Sequence, residues 1–309
     1  MVYFQKAGRY ILKDVDLYIP KGVAVGVIGA SGAGKTTLLK LACGLLACEH
    51  GTIHTLGMDP VSERRKLVTD LRAYFSEYYL FQREDTVKSQ FRLMETVYRM
   101  DRDYFRKEYK RLEGKFCLSG YVDKRVSELS MGQRRRVELA AILMGEAKLL
   151  LLDEPAIGLD ERGKRAFWKE LQRKKEAGAT VLISSHNMAE IEQVCDRILL
   201  LGKGKVLYYG DREGLMCRYA PVNRMEIQFE GRIPDMEDLP LLGYGIEDDT
   251  LHLSYHADLV TAAEITQRIL EQTSIARINI VRQDLTDVIR SLDVHGQTLR
   301  STEDMDEWR

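Results

Sequence analysis

Short apolar runs that end in polar residues alternate with longer helical patterns from the start of the chain to about residue 210. GVAVGVIG (Gly22–Gly29), KLLLLDEP (Lys148–Pro155) and ATVLISSH (Ala179–His186) are apolar or β-branched. Buried parallel strands read this way, with functional groups gathered at their C-terminal ends. DRILLLGKGKVLYYGD (Asp196–Asp211) predicts two strands around Gly202-Lys203-Gly204, a hairpin signal. The stretch between Phe91 and Gly120, rich in Tyr, Arg, Leu and Met, predicts a helical insert. After Met216 the pattern changes. RMEIQFEG, DDTLHLSYH, ADLVTAAEITQRILEQT, IARINIVRQ and LTDVIRSL predict strand, strand, helix, strand, helix. The expected organisation is an α/β domain over 1–216, with a helical subdomain at about 78–145, then a small α+β domain over 217–293. Cys217–Asn223 is the expected linker, and a polar tail fills 294–309.

Composition narrows the class. The chain has 309 residues, 45% hydrophobic and 30% charged, with a formal net charge of −1. That balance gives no electrostatic case for nucleic acid. The basic runs Arg134-Arg135-Arg136 and Arg173-Lys174-Lys175 are expected on solvated helix faces or at helix ends. The five cysteines show no CxxC and no metal-type spacing, which suits a reducing compartment. Lys6, Arg9, Lys13, Asp14 and Asp16 rule out a secretory apolar core in the first twenty residues. No apolar run approaches the roughly 20 residues of a membrane helix. The expectation is a soluble protein whose membrane link comes through a partner.

GASGAGKTT (Gly29–Thr37) follows an apolar strand and leads into a helical pattern, so it meets G-x-x-x-x-G-K-[ST] in the context that motif requires. Gly29, Gly32 and Gly34 allow a tight turn, so that the backbone N–H groups of the loop, which also contains Ala30, Ser31 and Ala33, point at phosphate oxygens. The helix N-terminus adds its positive dipole end. Lys35 is expected to reach the β- and γ-phosphates, and the Thr36 hydroxyl to ligate Mg²⁺ beside Thr37. LLLLDEPAIGLD places Asp153 and Glu154 at a strand end, where neighbouring side chains point differently and take different work. Asp153 suits a Mg²⁺ shell, and Glu154 the orientation or deprotonation of an attacking water. A third feature is the polar turn Ser130-Met131-Gly132-Gln133, which opens a helical stretch and has the makings of a second anion site.

Phosphate loop, LSMGQ, LLLLDEP, IGLD and SSH occur here in the order and approximate spacing of ABC-transporter ATPase subunits. The resemblance covers about Val2 to Asp211. Within that superfamily, LSMGQRRRVELAAIL, SQFRLMETVYRMD, SSHNMAEIEQVCDRILLLGKGKVLYYGD and the small C-terminal domain resemble the ATP-binding subunits of ABC-2-type exporters. The resemblance implies a P-loop NTPase fold of the ABC ATPase type, with a helical subdomain. It implies ATP and Mg²⁺ as cofactors, Asp153 as the Walker B acid, Glu154 as the catalytic glutamate and His186 as the switch histidine on the γ-phosphate. Asp160, in Ile157-Gly158-Leu159-Asp160, resembles the D-loop residue that meets the opposite protomer. Ser130, Met131, Gly132 and Gln133 would complete the phosphate site of that protomer. Met131 stands where many relatives have glycine.

Two positions depart from the family pattern. The aromatic residue that stacks on adenine is taken as Tyr3, with Phe4 and Tyr10 as rivals. The glutamine that usually joins the Mg²⁺ shell is replaced by Glu77, because counting back about nine residues from Thr86-Val87 lands there and not on Gln82. A carboxylate can still ligate Mg²⁺, but it adds negative charge beside Glu154. The resemblance thus implies an ATP hydrolase that works as a head-to-tail dimer, as a homodimer or with a paired homologue. It would drive transport, in the export direction, through a separate transmembrane permease at the cytoplasmic face of the cell membrane. The alternative is a soluble ATPase of the same type acting on ribosomes or DNA; a P-loop kinase is opposed by LSMGQ and by Asp153-Glu154-Pro155.

Overall fold

The computed structural model describes residues 2–6, 9–219, 222–236, 238–256 and 259–282. It divides into two compact units, residues 1–210 and 211–309. The division falls six residues before the expected one at Met216, which lies inside a helix of the second unit, Arg212–Tyr219. LTDVIRSL and the polar tail lie outside the described residues.

In the first unit a hairpin of β1 (Val2–Lys6) and β2 (Arg9–Val15) precedes the main sheet. Along the chain follow β3 (Ala24–Ile28), α1 (Lys35–Ala42), α2 (Arg64–Leu67) and β4 (Leu71–Phe75). The helical insert is α3 (Val87–Val97), α4 (Arg102–Phe116) and α5 (Met131–Ile142). Then come β5 (Leu149–Asp153), α6 (Glu161–Glu176), β6 (Thr180–Ser184), α7 (Met188–Val194), β7 (Arg197–Gly202) and β8 (Lys205–Gly210). The sheet runs β4-β5-β6-β3-β7-β8, parallel except for the final β7–β8 hairpin. Lys203 and Gly204 turn that hairpin with φ of 48° and 80°, the left-handed pair a two-residue loop demands.

β3, β5 and β6 are buried at every position, because helices cover both faces of a parallel sheet. Burying each leucine of β5 contributes roughly 2 kcal/mol. The register sets the site. Val27 pairs with Ser184, Ser184 with Asp153, and Asp153 with Phe75, so four strands end on one level. The residues just past that level are the phosphate loop, Ser185-His186, Glu154 and Ser76-Glu77.

Among its described residues the second unit has α8 (Arg212–Tyr219), a four-stranded antiparallel sheet, order β10-β11-β9-β12, and the helix α9 (Ala262–Leu270). Its strands are β9 (Val222–Glu230), β10 (Leu241–Glu247), β11 (Thr250–His256) and β12 (Ser274–Arg282). Strand β10 was not expected. Gly243 and Gly245 interrupt its pattern, and it lies at the sheet edge with most residues exposed.

Candidate functional site

The phosphate loop leaves the central strand β3 through Gly29, whose φ is 146°. A Cβ there would stand 2.2 Å from the Leu201 carbonyl oxygen, so the close approach of β7 admits only glycine. Gly34 caps α1 with φ 105°, and a Cβ on it would meet Leu12 Cδ2 at 2.6 Å. The loop is held from outside by the Gly204 N–H, which donates to the Ala33 oxygen at 3.1 Å. The Lys35 Nζ donates to the oxygens of Gly29 and Ala30 at 2.7 and 2.9 Å, which folds the ammonium over the loop. Ser31 and Gly32 are exposed at its rim.

Beside the loop, Thr36 Oγ1 donates to Asp153 Oδ2 at 2.7 Å, and Ser184 Oγ donates to Asp153 Oδ1 at 2.6 Å. A hydroxyl against a buried carboxylate is a hard, oxygen-only donor set. Mg²⁺ takes such a set when phosphates and waters supply the rest of its shell. The residues present therefore fit Mg²⁺ bound together with a nucleotide.

Glu154 follows Asp153 with φ 48°, a left-handed conformation that costs a side-chain-bearing residue free energy. Two bonds hold it there. Its N–H donates to Ser184 Oγ at 3.0 Å and to the Ser184 oxygen at 3.2 Å. The turn swings the carboxylate towards His186, whose Nε2 lies 3.0 Å from Glu154 Oε1 and whose backbone N–H donates to Oε2 at 3.4 Å. Burial pushes the Glu154 carboxyl above its ordinary value, against the opposing pull of His186 and Lys35. Ser184 is the residue that sequence reasoning passed over. It serves both acids, and its only signal was its place in ISSH.

Glu77 stands just past β4, where its carboxylate pairs with Lys40 Nζ. Lys40 lies one helical turn beyond Thr36 on α1, and the Ser76 N–H donates to the Asp153 oxygen at 3.3 Å. Glu77 is thus tied to both elements that carry the Thr36–Asp153 pair. Gln82 is exposed. The side chains of residues 2–10 lie outside the described ones, and with them Tyr3, Phe4 and Tyr10.

The Ser130 turn is a helix N-cap. Ser130 Oγ accepts from the Gln133 N–H at 3.3 Å, and Gln133 Oε1 accepts from the Ser130 N–H at 3.0 Å, a reciprocal capping box. Contacts of this turn run to the segment after β5. A Cβ on Gly132 would meet the Gly158 oxygen at 3.3 Å, and Arg136 pairs with Asp160. Asp160 also caps α6, accepting from the Gly163 N–H at 2.8 Å. Met131 is 61% and Ile157 53% exposed.

Arg173-Lys174-Lys175 lies in the last turn of α6, a helix end as expected, whereas Arg134-Arg135-Arg136, in the first two turns of α5, is largely covered rather than a solvated face. Arg134, Arg135 and Arg136 have side chains 17%, 11% and 15% exposed, each engaged by an acid, because Glu138, Tyr74 and Asp160 surround the first two turns of α5. Arg173 pairs with Glu170, Lys174 donates to the Gly145 oxygen, and Lys175 donates to the Val194 oxygen at 2.8 Å. Glu170 has a fully buried side chain and joins α6 to α4. Arg111 grips it through both oxygens at 2.7 and 2.8 Å, with Lys115 at 2.7 Å.

A phosphate loop on the central strand β3, with a hydroxyl–carboxylate pair and a second acid at the end of β5 across β6, defines a P-loop nucleotide hydrolase. The family model described as ABC transporter matches residues 12–157. The chain is 33% identical over 205 residues to the ABC transporter ATP-binding protein NatA of Bacillus subtilis (strain 168), covering 66% of this chain and 83% of that one. It is 28% identical to the Nod factor export ATP-binding protein I of Rhizobium sp. (strain N33), covering 71% and 72%. It shares its fold with a solved ATP-binding subunit of an ABC transporter, at TM-score 0.66 and 24% identity over 70% of this chain and 90% of that one. The cassette MJ0796, solved as a dimer in a post-hydrolysis state with ADP and Pi, superposes at TM-score 0.61 and 24% identity over 68% and 95%. The chain belongs to the ABC transporter ATP-binding proteins, and its activity is that of their ATPases.

Proposed function

We propose that the protein powers export by hydrolysing ATP in a head-to-tail pair, with another copy or with a paired homologue. Each phosphate loop faces the partner's Ser130 turn, so that Ser130, Met131, Gly132 and Gln133 complete the neighbour's site at the positive end of α5. Asp160 reaches the same interface, and Tyr3, or its rivals Phe4 and Tyr10, stacks on adenine.

The observation that carries this reading is the Glu154–His186 pair one residue beyond the Asp153–Thr36 pair. Ala30, Ser31, Ala33 and the three loop glycines cradle the phosphates, with Lys35 and Thr37 at the start of α1. When bound, Mg²⁺ would supply positive charge that offsets that of the nucleotide's phosphates. Thr36, Asp153 and Glu77 are the residues that would hold it. Glu154 takes a proton from a water whose oxygen bonds to the γ-phosphorus as the bond from that phosphorus to the β–γ bridging oxygen breaks, giving ADP and inorganic phosphate, and His186 holds the carboxylate and senses the γ-phosphate.

The protein works with separate transmembrane permease subunits, at the cytoplasmic face of the membrane; among the described residues no helix is long and apolar enough to cross a membrane. The export direction is supported by the Nod factor export relatives. The test is Glu154→Gln. This variant is expected to accumulate as an ATP-bound dimer by size-exclusion chromatography, and the wild-type chain to hydrolyse ATP faster with its membrane partner than alone. A Glu154→Gln chain that stays monomeric in ATP and Mg²⁺ would sink the shared-site reading. ATPase stimulation by ribosomes or DNA, with none by a permease, would move the function to the soluble class.

A further inference from the structure

A buried polar bridge joins the strand end that carries Glu77 to the helix that opens with Ser130. Arg135, on the second turn of α5, donates Nη1 to Tyr74 Oη at 2.5 Å and Nη2 to the Ser76 carbonyl oxygen. Glu138, one turn further along and with a fully buried side chain, accepts the Leu80 N–H on Oε1 at 3.4 Å. Its Oε2 accepts from Tyr74 Oη at 3.5 Å and lies 3.5 Å from Arg135 Nη1. Arg134 Nε stands 3.7 Å from the other oxygen.

The segment Ser76–Leu80 is thus gripped from one helix at its first carbonyl and its last amide, with Glu77 inside the grip. Other ties run the other way: the Ser76 N–H donates to the Asp153 oxygen, and the Glu77 carboxylate pairs with Lys40. β4 is the edge strand of its sheet, so past its end the chain is held by β5 on the sheet side, by Lys40 of α1 at Glu77, and by this bridge on the α5 side. A buried ion pair is no efficient source of stability, since apolar side chains of the same volume serve as well. It does fix direction. Arg135 presents a planar fork to two acceptors at once, which neither lysine nor an apolar residue reproduces.

We propose that Arg135 and Glu138 are positioning residues: they transmit the orientation of the Ser130 helix to the Glu77 carboxylate, and so set its place beside Thr36 and Asp153. This rests on the reading of Glu77 as part of the Mg²⁺ shell. When closure of a dimer turns α5, the loop bearing Glu77 turns with it.

The test uses the full chain with Arg135→Ala, Arg135→Lys, Glu138→Gln and Tyr74→Phe. Amide hydrogen exchange is followed in 76–80 and in 149–153, with MgATP binding and steady-state kinetics in parallel. Arg135→Ala is expected to speed exchange in 76–80 by about tenfold or more while leaving 149–153 protected. The KM for ATP should hold within about twofold, and kcat should fall roughly 10- to 100-fold, the scale of a misplaced group. Arg135→Lys should recover part of both effects, because an ammonium reaches one acceptor at a time. Should Arg135→Ala fail to fold, Glu138→Gln, which keeps the side chain's shape, and Tyr74→Phe give the same reading from one arm each. Unchanged exchange in 76–80, or an equal rise in 149–153, overturns the proposal. A silent Glu77→Gln beside loosened exchange in 76–80 overturns the Mg²⁺ reading and leaves the coupling of loop to helix standing.

Discussion

His186 Nε2 stands 3.0 Å from Glu154 Oε1, on a carboxylate that a left-handed turn and two bonds to Ser184 aim at it. Burial raises the Glu154 pKa, and His186 opposes that rise. A base must be ionised to accept a proton, so hydrolysis is expected to increase with pH through a limb above the usual carboxylate range. His186→Ala removes the neighbour that opposes the rise and should move that limb to higher pH while lowering the plateau. A pH–kcat profile of both proteins checks this; a limb that moves down would remove His186 from the role.

The same shift has a sign for stability. The folded pKa of Glu154 lies above the unfolded one, so the native state holds its proton more tightly. Stability is therefore lost as pH rises from the unfolded value through the folded one. Glu154→Gln removes that loss and the buried charge. Its unfolding midpoint in urea at pH 7.5, without nucleotide, is expected to equal or exceed that of the wild type, and a clear fall would show that the carboxylate is a structural tie.

The N-cap formed by Ser130 and the shared-site role proposed for it separate experimentally. As an N-cap its loss costs about 1 kcal/mol of helix stability, which a urea titration of Ser130→Ala reads directly. As half of a shared site its loss should abolish hydrolysis while leaving ATP binding by the monomer intact. Gly132→Ala places a Cβ 3.3 Å from the Gly158 oxygen and should behave the same way in both assays. Weakened binding by the isolated chain would count against the shared site.

What the residues revealed in advance was local. The phosphate loop, the acidic pair and the strands leading to them are contiguous patterns, and the parallel register then carries Val27, Ser184, Asp153 and Phe75 to one level. Ties between distant segments were not legible. Arg135 reaching Ser76, or Glu170 collecting Arg111 and Lys115, depends on how α4, α5 and α6 pack, and a run of arginines looks the same on a solvated face. Strand β10 was hidden for a different reason: its glycines and its exposed edge position erase the alternation that marks a strand.

Glu77 and Gln82 make opposite claims on the Mg²⁺ shell. The Glu77 carboxylate pairs with Lys40, a cation that offsets its extra negative charge, whereas Gln82 is exposed. Glu77→Gln is expected to change the Mg²⁺ and pH dependence of hydrolysis, and Gln82→Ala to change neither. Mg²⁺ titrations of both variants at several pH values decide between them, and a larger defect in Gln82→Ala would transfer the role.

Glu170 offers a test of the helical insert that involves no nucleotide. Burial pushes its carboxyl up, but bonds from Arg111, Arg173 and Lys115 outweigh burial and hold it at about 2, against 4.5 for a free side chain. A depressed acid contributes stability that is present above the unfolded value and is lost as pH falls through the folded one, so the window runs from about 4.5 to about 2. The side chain is fully buried, and at about 1.4 kcal/mol per pKa unit the contribution is on the order of 3 kcal/mol. Urea unfolding of the wild type should steepen in its loss of stability below pH 4.5. Glu170→Gln, which leaves three cations facing a neutral amide, should be less stable at pH 7 and should lose less on acidification. The anchor it removes lies between α4 and α6, so exchange in 102–116 should rise before exchange in 149–153. Equal acid sensitivity in the two proteins would mean that the carboxylate is not the group holding α4 against α6.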